Sequence, residues 1–390
     1  MDKPGRQQWL DQQPAFNRDR RPVVVLSANS CWNLLNFRSA LIIGLRAAGY
    51  RLAAFAPADR NAEDLRRRGI EVYDMPMARS GMNPAADGRL LFRYLRALRS
   101  LRPAAYCGFT IKPNVYGAIA ARFAGVPAIN NVTGLGTTFL THPLMWRFAA
   151  LLYRLAFGRS HRIFFHNQED QRIFVEQKIV RAEQARVIPG SGVDLEKFAP
   201  DASAETGPPR FLFIGRVLRD KGIGEFVAAA RQLRARLPDA RFQILGNVDP
   251  GNPTSVSPAE FQSWIDDGLI EHLGEHIDVR PFIRSATAVV LPSYREGMSR
   301  ALLEGAAMGR ALVGSDVAGC RELIEEGVTG ALCRPRDVDS LADAMERIAR
   351  MPPDRLRELG RAARQKVERE FSEQIVVDAY LEALAEVAPR

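Results

Sequence analysis

Short apolar runs rich in β-branched residues alternate with longer stretches of helical periodicity along this 390-residue chain. The runs have the length of buried strands, and the stretches between them are long enough for helices. This alternation predicts an α/β fold built on parallel, doubly wound sheets. One helix is predicted over about residues 37–48, and a helical end over about residues 353–387. The predicted strands are residues 21–27, 51–57, 71–74, 104–109, 127–132, 162–166, 209–215, 241–246, 286–292 and 311–315.

The chain is too long for one compact core, so we expect two domains with a cleft between them. Residues 198–209 combine prolines, a glycine and small polar residues, and the alternation restarts after them, as expected of a linker. The C-terminal helix is a candidate to cross back to the first domain. The predicted division is a flexible leader (1–20), a first domain (21–197), the linker (198–209), a second domain (210–371) and the C-terminal helix (372–390).

The net charge of +9 is unevenly distributed along the chain. Residues 1–200 carry 29 Lys and Arg against 15 Asp and Glu, whereas residues 201–390 carry 25 against 30. Between Met75 and Arg162, twelve basic residues accompany a single acid, Asp87. Such a one-sided positive field favours a polyanion or an anionic membrane as partner.

Two segments of this basic region, residues 88–102 and 144–162, mix arginines with leucines and aromatic residues. Such segments are typical of helices that lie on anionic lipid, so we expect peripheral membrane contact. The alternative is an ordinary amphipathic helix whose apolar stripe packs on the first sheet. Nucleic acid is not expected as a partner, because no recognised binding module accompanies the charge.

The cysteine pattern and the apolar runs favour a location in the reducing cytosol. The four cysteines are scattered without metal-ligand spacing, so neither a zinc site nor a disulfide framework is predicted. The first twenty residues have no signal-peptide core, and no eighteen apolar residues run together. Asp337 and Asp339 have the spacing of a D-x-D metal motif, but they precede a helical run and are predicted to cap it. We expect no metal and no cofactor.

Two acids, Glu296 and Glu304, follow the predicted strand 286–292 and flank a turn at Gly297. If the following helix starts near Glu296, the two carboxylates lie about 12 Å apart along its axis. That separation exceeds the roughly 5 to 9.5 Å of carboxylate pairs that hydrolyse glycosides. The acids are therefore predicted to grip opposite ends of an elongated ligand such as a nucleotide sugar. Free backbone amides at the helix start would help to hold its polar groups.

A second candidate group follows the strand 209–215, where Gly215 ends the strand and Arg216 and Lys221 stand in the next turn. Two cations beside a helix start suit a diphosphate, because arginine engages two phosphate oxygens and lysine adds a compact charge. The alternative is a pair of solvated surface cations.

These two groups, together with residues 190–194 and Phe198, resemble the motifs of retaining glycosyltransferases of family GT4, over roughly residues 22–384. The resemblance implies the GT-B fold, two Rossmann-like domains that face a central cleft. It also implies that Arg216 and Lys221 bind the donor diphosphate, that Glu296 contacts the donor sugar and that Glu304 binds the ribose. Glu296, Arg216 and Lys221 are the predicted catalytic residues. The predicted donor-binding residues are Gly215, Gly297, Met298, Ser299 and Glu304.

Residues 109–117 and 130–139 resemble the subgroup that extends undecaprenyl-diphosphate-linked sugars in cell-surface polysaccharide or glycan biosynthesis. This resemblance implies a UDP-sugar donor that carries an N-acetylhexosamine or a hexose. It also implies a lipid-linked saccharide acceptor, and hence a peripheral position on the inner face of the cytoplasmic membrane. The first strand leads into residues 27–33 rather than a glycine-rich turn, and no histidine lies near Lys112, where several relatives have one. Structural loop roles are the alternatives for the acceptor-side candidates. These candidates are Asn33, Lys112, Asn114, Gly134 and Gly136.

Two other functions are compatible with the same residues. A nucleotide-sugar epimerase of the same architecture would alter a UDP-sugar without any acceptor. A non-catalytic nucleotide-binding membrane adaptor would release no UDP at all. Incubation with donor alone and with lipid acceptors distinguishes these alternatives from a transferase.

Overall fold

The computed structural model describes residues 21–78, 81, 83–135, 143–200 and 207–387. Two parallel sheets organise these residues, in the orders β3-β2-β1-β4-β5-β6-β7 and β10-β9-β8-β11-β12-β13. The first sheet comprises β1 (Val23–Ser27), β2 (Arg51–Ala56), β3 (Glu71–Asp74), β4 (Ala105–Gly108), β5 (Ala128–Val132), β6 (Arg162–Phe165) and β7 (Ala185–Val187). The second comprises β8 (Arg210–Ile214), β9 (Arg241–Leu245), β10 (Glu271–Gly274), β11 (Ala288–Leu291), β12 (Ala311–Ser315) and β13 (Gly330–Cys333).

Helices cover both faces of each sheet, so the two-domain α/β prediction is confirmed. The first-half helices are α1 (Cys31–Phe37), α2 (Ser39–Ala47), α3 (Ala62–Arg67), α4 (Pro84–Leu101), a π-helix (Pro113–Gly117), α5 (Ala118–Ala124), α6 (Pro143–Phe157) and α7 (Gln168–Glu176). The others are α8 (Ile223–Leu233), α9 (Pro258–Asp266), α10 (Arg280–Ser285), α11 (Arg300–Ala307), α12 (Val338–Ala349), α13 (Pro353–Glu370) and α14 (Glu373–Val387). Short 3-10 turns span Ala182–Gln184 and Arg219–Lys221.

The central strands are apolar because they are covered on both faces. All four residues of β4 and of β11 are buried, as expected for the middle of a parallel sheet. Separate apolar clusters fill the two faces of the first sheet, and a third cluster fills the second half. Every predicted strand is present to within two residues at either end.

Three strands, β7, β10 and β13, were not predicted, and all three are edge strands. An edge strand has one neighbour instead of two and less apolar cover. Strands β7 and β10 accordingly lack a continuous apolar run, as the residues Glu-His-Leu-Gly of β10 show. Strand β13, Gly-Ala-Leu-Cys, is apolar and mostly buried, so its edge position does not explain why it was not predicted. The predicted helix over 37–48 is confirmed as α2, to within two residues at either end. Helix α1 was not predicted, and Arg38 separates it from α2, since its φ of −130° and ψ of 14° interrupt the helical geometry.

The C-terminal end divides between the halves. Helix α13 packs on the second sheet, and α14 packs into the core of the first half after a break at Phe371 and Ser372. The break is fixed by Val193, whose amide donates to the Phe371 carbonyl (3.0 Å) and whose carbonyl accepts from the Glu373 amide (3.2 Å). The first half of the chain is therefore packed together with its last helix.

Tyr380 of α14 tests how much the first half depends on that helix. Its ring is fully buried, with its centroid 4.7 Å from that of Phe164. We expect Tyr380→Ala to lower the unfolding free energy by about 3–5 kcal/mol, because the change opens a large core cavity. Urea denaturation measures this loss. Asp378→Ala, an exposed change on the same helix, should stay within about 0.5 kcal/mol of the parent. Equal stability of the two variants would contradict the packing.

Candidate active site

The turn from Glu296 to Ser299 connects β11 to α11. Ser299 caps the helix by accepting a hydrogen bond from the Leu302 amide (3.2 Å). The amides of Glu296 and Ser299 donate to the carbonyls of Ala318 (3.1 Å) and Gly319 (3.0 Å), so the turn is fixed to the loop after β12. The helix begins at Arg300 rather than Glu296. The separation of about 12 Å, which assumed a helix from Glu296, therefore does not apply, and the Ser299 amide is already bonded.

Lys221 and Glu296 form an ion pair, with Nζ 2.5 Å from Oε1. Their side chains are 27% and 10% exposed. The approach depends on Gly222, which has a left-handed φ of +73°. A Cβ there would lie only 2.0 Å from the Pro292 carbonyl oxygen. Because only glycine permits this close approach, the lysine turn packs directly against the end of β11.

Arg216 lies apart from this pair in the observed arrangement. Its Nη1 donates to Oδ2 of Asp249 at 2.8 Å, and its side chain is 59% exposed. Such an exposed pair contributes about 0–1 kcal/mol, so the guanidinium can leave Asp249 for a ligand at little cost. Gly215 has a φ of +150° and lies against Gly246, where a Cβ would be 2.0 Å from the Gly215 carbonyl oxygen.

Glu304 belongs to a different environment from Glu296. It is nearly buried in α11, and Arg300 Nε donates to its Oε1 at 2.9 Å. Burial raises the pKa of Glu304, and the Arg300 charge opposes that rise. Both residues line a cavity of about 720 Å³ that also touches α2, Lys197 and Glu373. The cavity therefore lies between the two halves of the chain, with Glu304 on its wall.

Cross-cleft contacts hold the Glu296 turn against the first half. Asn167, which caps α7, donates through Nδ2 to the Gly297 carbonyl (2.9 Å). Arg295 donates to Glu169 (2.6 Å) and to the fully buried Asp170, both in the first turn of α7. None of these residues was predicted. The Asn-x-x-Asp spacing reveals a helix cap, but sequence contains no signal that the cap faces the other domain.

The acceptor-side candidates are spread over different positions in the first half. Lys112 is bound by Asp87 (2.7 Å), whose pKa is raised by burial but held below its usual value by hydrogen bonds from Lys112, the Asn83 amide and Tyr116. Asn114 is buried and donates to the Asn131 carbonyl (2.7 Å). These contacts hold both side chains within the first half.

The remaining acceptor-side candidates differ from one another in position. Gly134 touches Gly297 across the cleft, since a Cβ on Gly134 would lie 3.0 Å from the Gly297 Cα. Asn33 lies in α1, and its Oδ1 is buried without a hydrogen-bond partner. Gly136 lies outside the described residues.

The possible metal ligands of the chain do not form a cluster in the part that the structure describes. Within the described ranges, no group of three or more His, Cys, Asp or Glu residues could hold a metal ion. Asp337 caps α12 by accepting from the Ser340 amide (2.8 Å), which confirms the capping interpretation. All four cysteines are free and buried. None of the helices in the described part of the chain is long and apolar enough to cross a bilayer.

Two family models match separate parts of the chain. The family described as "Glycosyl transferases group 1" matches residues 208–351, and the "Glycosyl transferase 4-like domain" matches residues 38–190. The first match contains the Lys221–Glu296 pair and the Glu304 wall of the cavity. The second contains the cross-cleft residues of α7. Both halves of the site therefore lie inside matched regions.

Sequence relatives include bacterial transferases. The N,N'-diacetylbacillosaminyl-diphospho-undecaprenol alpha-1,3-N-acetylgalactosaminyltransferase of Campylobacter jejuni is 26% identical, over 90% of this chain and 94% of its own. The UDP-Gal:alpha-D-GlcNAc-diphosphoundecaprenol alpha-1,3-galactosyltransferase of Escherichia coli is 29% identical, over 61% of this chain and 64% of its own.

Solved structures share the fold. Sucrose-phosphate synthase from Thermosynechococcus elongatus superposes with a TM-score of 0.79 at 19% identity, and covers 94% of this chain and 99% of its own. Anabaena HepE in complex with UDP-glucose superposes with a TM-score of 0.77 at 18% identity, and covers 94% of this chain and 100% of its own. The GT-B arrangement of two facing Rossmann-like halves is confirmed.

Arg295 provides a test of the cross-cleft contact. We expect Arg295→Ala to lower the unfolding free energy by about 3–5 kcal/mol, because Asp170 would be left buried and unpaired. We also expect a larger radius of gyration by small-angle X-ray scattering, because the turn would lose its hold on α7. Arg321→Ala is the matched control, since Arg321 is 3.6 Å from Glu169 and 46% exposed. A compact, fully stable Arg295→Ala protein would refute the contact.

Proposed function

Because the chain belongs to the group 1 glycosyl transferases, the GT4 family with the GT-B fold, we propose that its donor is a UDP-linked hexose or N-acetylhexosamine. We propose that the acceptor is a saccharide carried on undecaprenyl diphosphate, and that transfer retains the anomeric configuration. The observation that carries the site assignment is the Lys221–Glu296 pair at the cleft. The acceptor class rests on the similarity to the Campylobacter jejuni enzyme over 90% of the chain.

The donor would extend from the Lys221–Glu296 pair toward the Glu304 cavity. Lys221 and Arg216 would neutralise the departing diphosphate, an electrostatic contribution that acts where charge develops in the transition state. Glu296, released from part of its contact with Lys221, would orient the sugar hydroxyls. Glu304 would accept hydrogen bonds from the ribose in the cavity that it lines. The two acids would then serve opposite ends of the ligand.

In this proposal the side chains of Lys221 and Arg216 take the place of a metal ion. Lysine and arginine can supply the positive charge that a divalent ion supplies in other phosphate sites. We therefore propose that the reaction needs no metal and no cofactor. Closure of the cleft, held by Arg295 and Asn167, would keep water away from the donor and so suppress its hydrolysis.

The relatives named above support neither of the other two functions. An epimerase reaction would convert a UDP-sugar in the absence of any acceptor. An adaptor would bind UDP without releasing it from a UDP-sugar. Incubation of the protein with UDP-sugars, with and without undecaprenyl-diphosphate saccharides, tests all three, and UDP release that requires the lipid acceptor supports the transferase.

A basic and apolar face on the first half is the proposed membrane contact. Helix α5 packs beside both α4 and α6, and the three helices expose large apolar side chains together with arginines. The exposed apolar residues are Phe92, Phe123, Phe148, Leu151 and Leu155. Exposed arginines include Arg93 in α4, Arg122 in α5 and Arg147 in α6, together with Arg159 just after α6. Amphipathic helices of this composition bind anionic lipid surfaces, where a lipid-linked acceptor resides.

Substitutions at the cleft test the catalytic assignment. We expect Lys221→Ala and Glu296→Ala each to lower kcat by at least about a hundredfold, since each removes a charge that acts on the transition state. Glu304→Ala should chiefly weaken UDP binding. Rates of sugar transfer and calorimetric UDP affinities measure the two effects. Arg219→Ala, a neighbouring arginine paired with Glu260 (2.6 Å), should keep near-normal activity. Normal turnover by Lys221→Ala would remove the leaving-group argument.

The membrane face is tested by vesicle flotation. The protein should bind vesicles that contain phosphatidylglycerol, and added salt should weaken the binding because the attraction is electrostatic. The double change Leu151→Glu and Leu155→Glu should reduce binding at least about tenfold, because each change puts a negative charge against an anionic surface. The matched change Ile277→Glu, at an exposed apolar residue of the second half, should have no effect. Equal binding to neutral vesicles would contradict the proposal.

A further inference from the structure

Five side chains at the carboxyl edge of the first sheet have buried polar atoms without a hydrogen-bond partner in the part of the chain that the structure describes. Asn33 and Arg38 follow β1, Thr110 follows β4, Asn131 lies in β5 and His166 follows β6. The atoms concerned are Asn33 Oδ1, Arg38 Nε and Nη1, Thr110 Oγ1, Asn131 Oδ1 and His166 Nε2. Buried polar atoms are nearly always paired, so this concentration indicates a place for a ligand.

Arg38 is the least expected member of the group. Its side chain is 4% exposed, and its guanidinium lies 4.5 Å from the centre of the Phe109 ring. Among the described residues, no carboxylate forms an ion pair with it. Burial lowers the pKa of Arg38, and the nearby charge of Arg300 lowers it further. A buried charge without a counter-ion is strongly destabilising, so its retention indicates that an anion completes the site.

The position of the group agrees with a ligand site. The order of the first sheet reverses between β1 and β4, and parallel α/β sheets bind ligands at the carboxyl ends of the strands where the order reverses. The break between α1 and α2 falls at Arg38 itself, which places the side chain in that crevice. Burial and the charge of Arg38 lower the pKa of His166 to about 3, so His166 is neutral and the net charge of the group is positive.

The second half of the chain covers the group. A Cβ on Gly190 would lie 3.0 Å from Cβ of Met298 and 3.6 Å from Nδ1 of His166. Arg300 donates to the Asn36 carbonyl (2.7 Å) in α1, two residues before Arg38 in the chain. Met298 and Arg300 both belong to the segment from Glu296 to Arg300, so separation of the two halves would remove this cover. Tyr380 of α14 would stay in contact with the group, since Asn131 Nδ2 donates to its hydroxyl (3.0 Å). A ligand can therefore enter when the cleft opens.

We propose that Arg38 binds a phosphate oxygen of the acceptor's diphosphate, at its junction with the first sugar. This inference rests on the proposed function. The Arg38 fork and the Thr110 hydroxyl would donate to the phosphate, and Asn33 and Asn131 would accept from sugar hydroxyls. A positively charged fork beside neutral acceptors suits a sugar phosphate. The donor carries the same phosphate chemistry, but its diphosphate already has Arg216 and Lys221 in the second half.

Arg38→Met is the central test, with Arg46→Met as the control because Arg46 is exposed on α2. Without ligand, Arg38→Met should melt at or above the temperature of the parent, because it removes an unpaired buried charge. A soluble short-chain prenyl diphosphate should raise the melting temperature of the parent and of Arg46→Met, but not that of Arg38→Met. The corresponding prenyl alcohol should raise none of them.

Kinetics identify which phosphate Arg38 holds. We expect Arg38→Met to raise KM for the lipid-diphosphate saccharide at least tenfold, which corresponds to a loss of at least about 1.4 kcal/mol of acceptor binding. The Kd for UDP should stay within twofold of that of the parent. Loss of UDP affinity with normal acceptor KM would overturn the proposal in favour of the donor phosphate. A lower melting temperature with an intact prenyl diphosphate shift would overturn it in favour of a structural arginine.

Thr110→Val is a second test that does not depend on correct folding of Arg38→Met, because valine has the same shape as threonine. We expect it to raise the acceptor KM as well. The melting experiments also separate this site from the proposed function. If the parent transfers sugar to no lipid acceptor, yet the prenyl diphosphate stabilises it through Arg38, then the phosphate site is supported and the proposed function is refuted. If prenyl diphosphate does not stabilise the parent, the proposed phosphate site is refuted even when transfer occurs.

Discussion

The contact of Gly222 with Pro292 is the constraint on which the candidate active site depends. It lets the lysine turn after β8 reach the end of β11, where Lys221 neutralises Glu296. These two strands are direct neighbours in the second sheet, so the pair forms where their carboxyl ends meet. A lysine with a carboxylate partner is ready to exchange that partner for a phosphate, and a carboxylate so released is ready for a sugar hydroxyl. The sheet thus supplies the reactive groups as a consequence of strand order.

The two halves depend on each other through more than the cleft. Helix α14 completes the core of the first half, although it follows the whole of the second. Asn167, Glu169 and Asp170 at the start of α7 hold the turn that contains Glu296. Opening the cleft would therefore change the surroundings of Glu296, the proposed catalytic residue, as well as the access of ligands. A transferase gains from this coupling, because the donor is activated only where water has been excluded.

Charge is used differently in the two halves. In the second half many surface arginines have acidic partners, such as the Arg219–Glu260 and Arg236–Glu346 pairs. In the basic region of the first half the single acid, Asp87, is bound to Lys112, and arginines stand beside exposed aromatic residues. Arg38 is also basic and has no carboxylate partner among the described residues, but it is buried. The first half thus has positive charge both on its surface and in its interior, which agrees with the proposed membrane contact and the proposed phosphate site.

The strand pattern and the two-sheet α/β fold were readable from the sequence, because buried parallel strands leave continuous apolar runs. The Lys221, Glu296 and Glu304 candidates were proposed from the glycines and charges at strand ends, and they remain predictions. The edge strands β7 and β10 were not readable from the sequence, since they have little apolar cover, and β13 was not predicted although its residues are apolar. Tertiary structure alone decided that Glu296 pairs with Lys221 while Arg216 pairs with Asp249. It also decided that α7 faces the Glu296 turn and that Arg38 is buried, with its Nε and Nη1 lacking hydrogen-bond partners among the described residues. Local sequence cannot encode these contacts, because each depends on where residues distant in the chain meet.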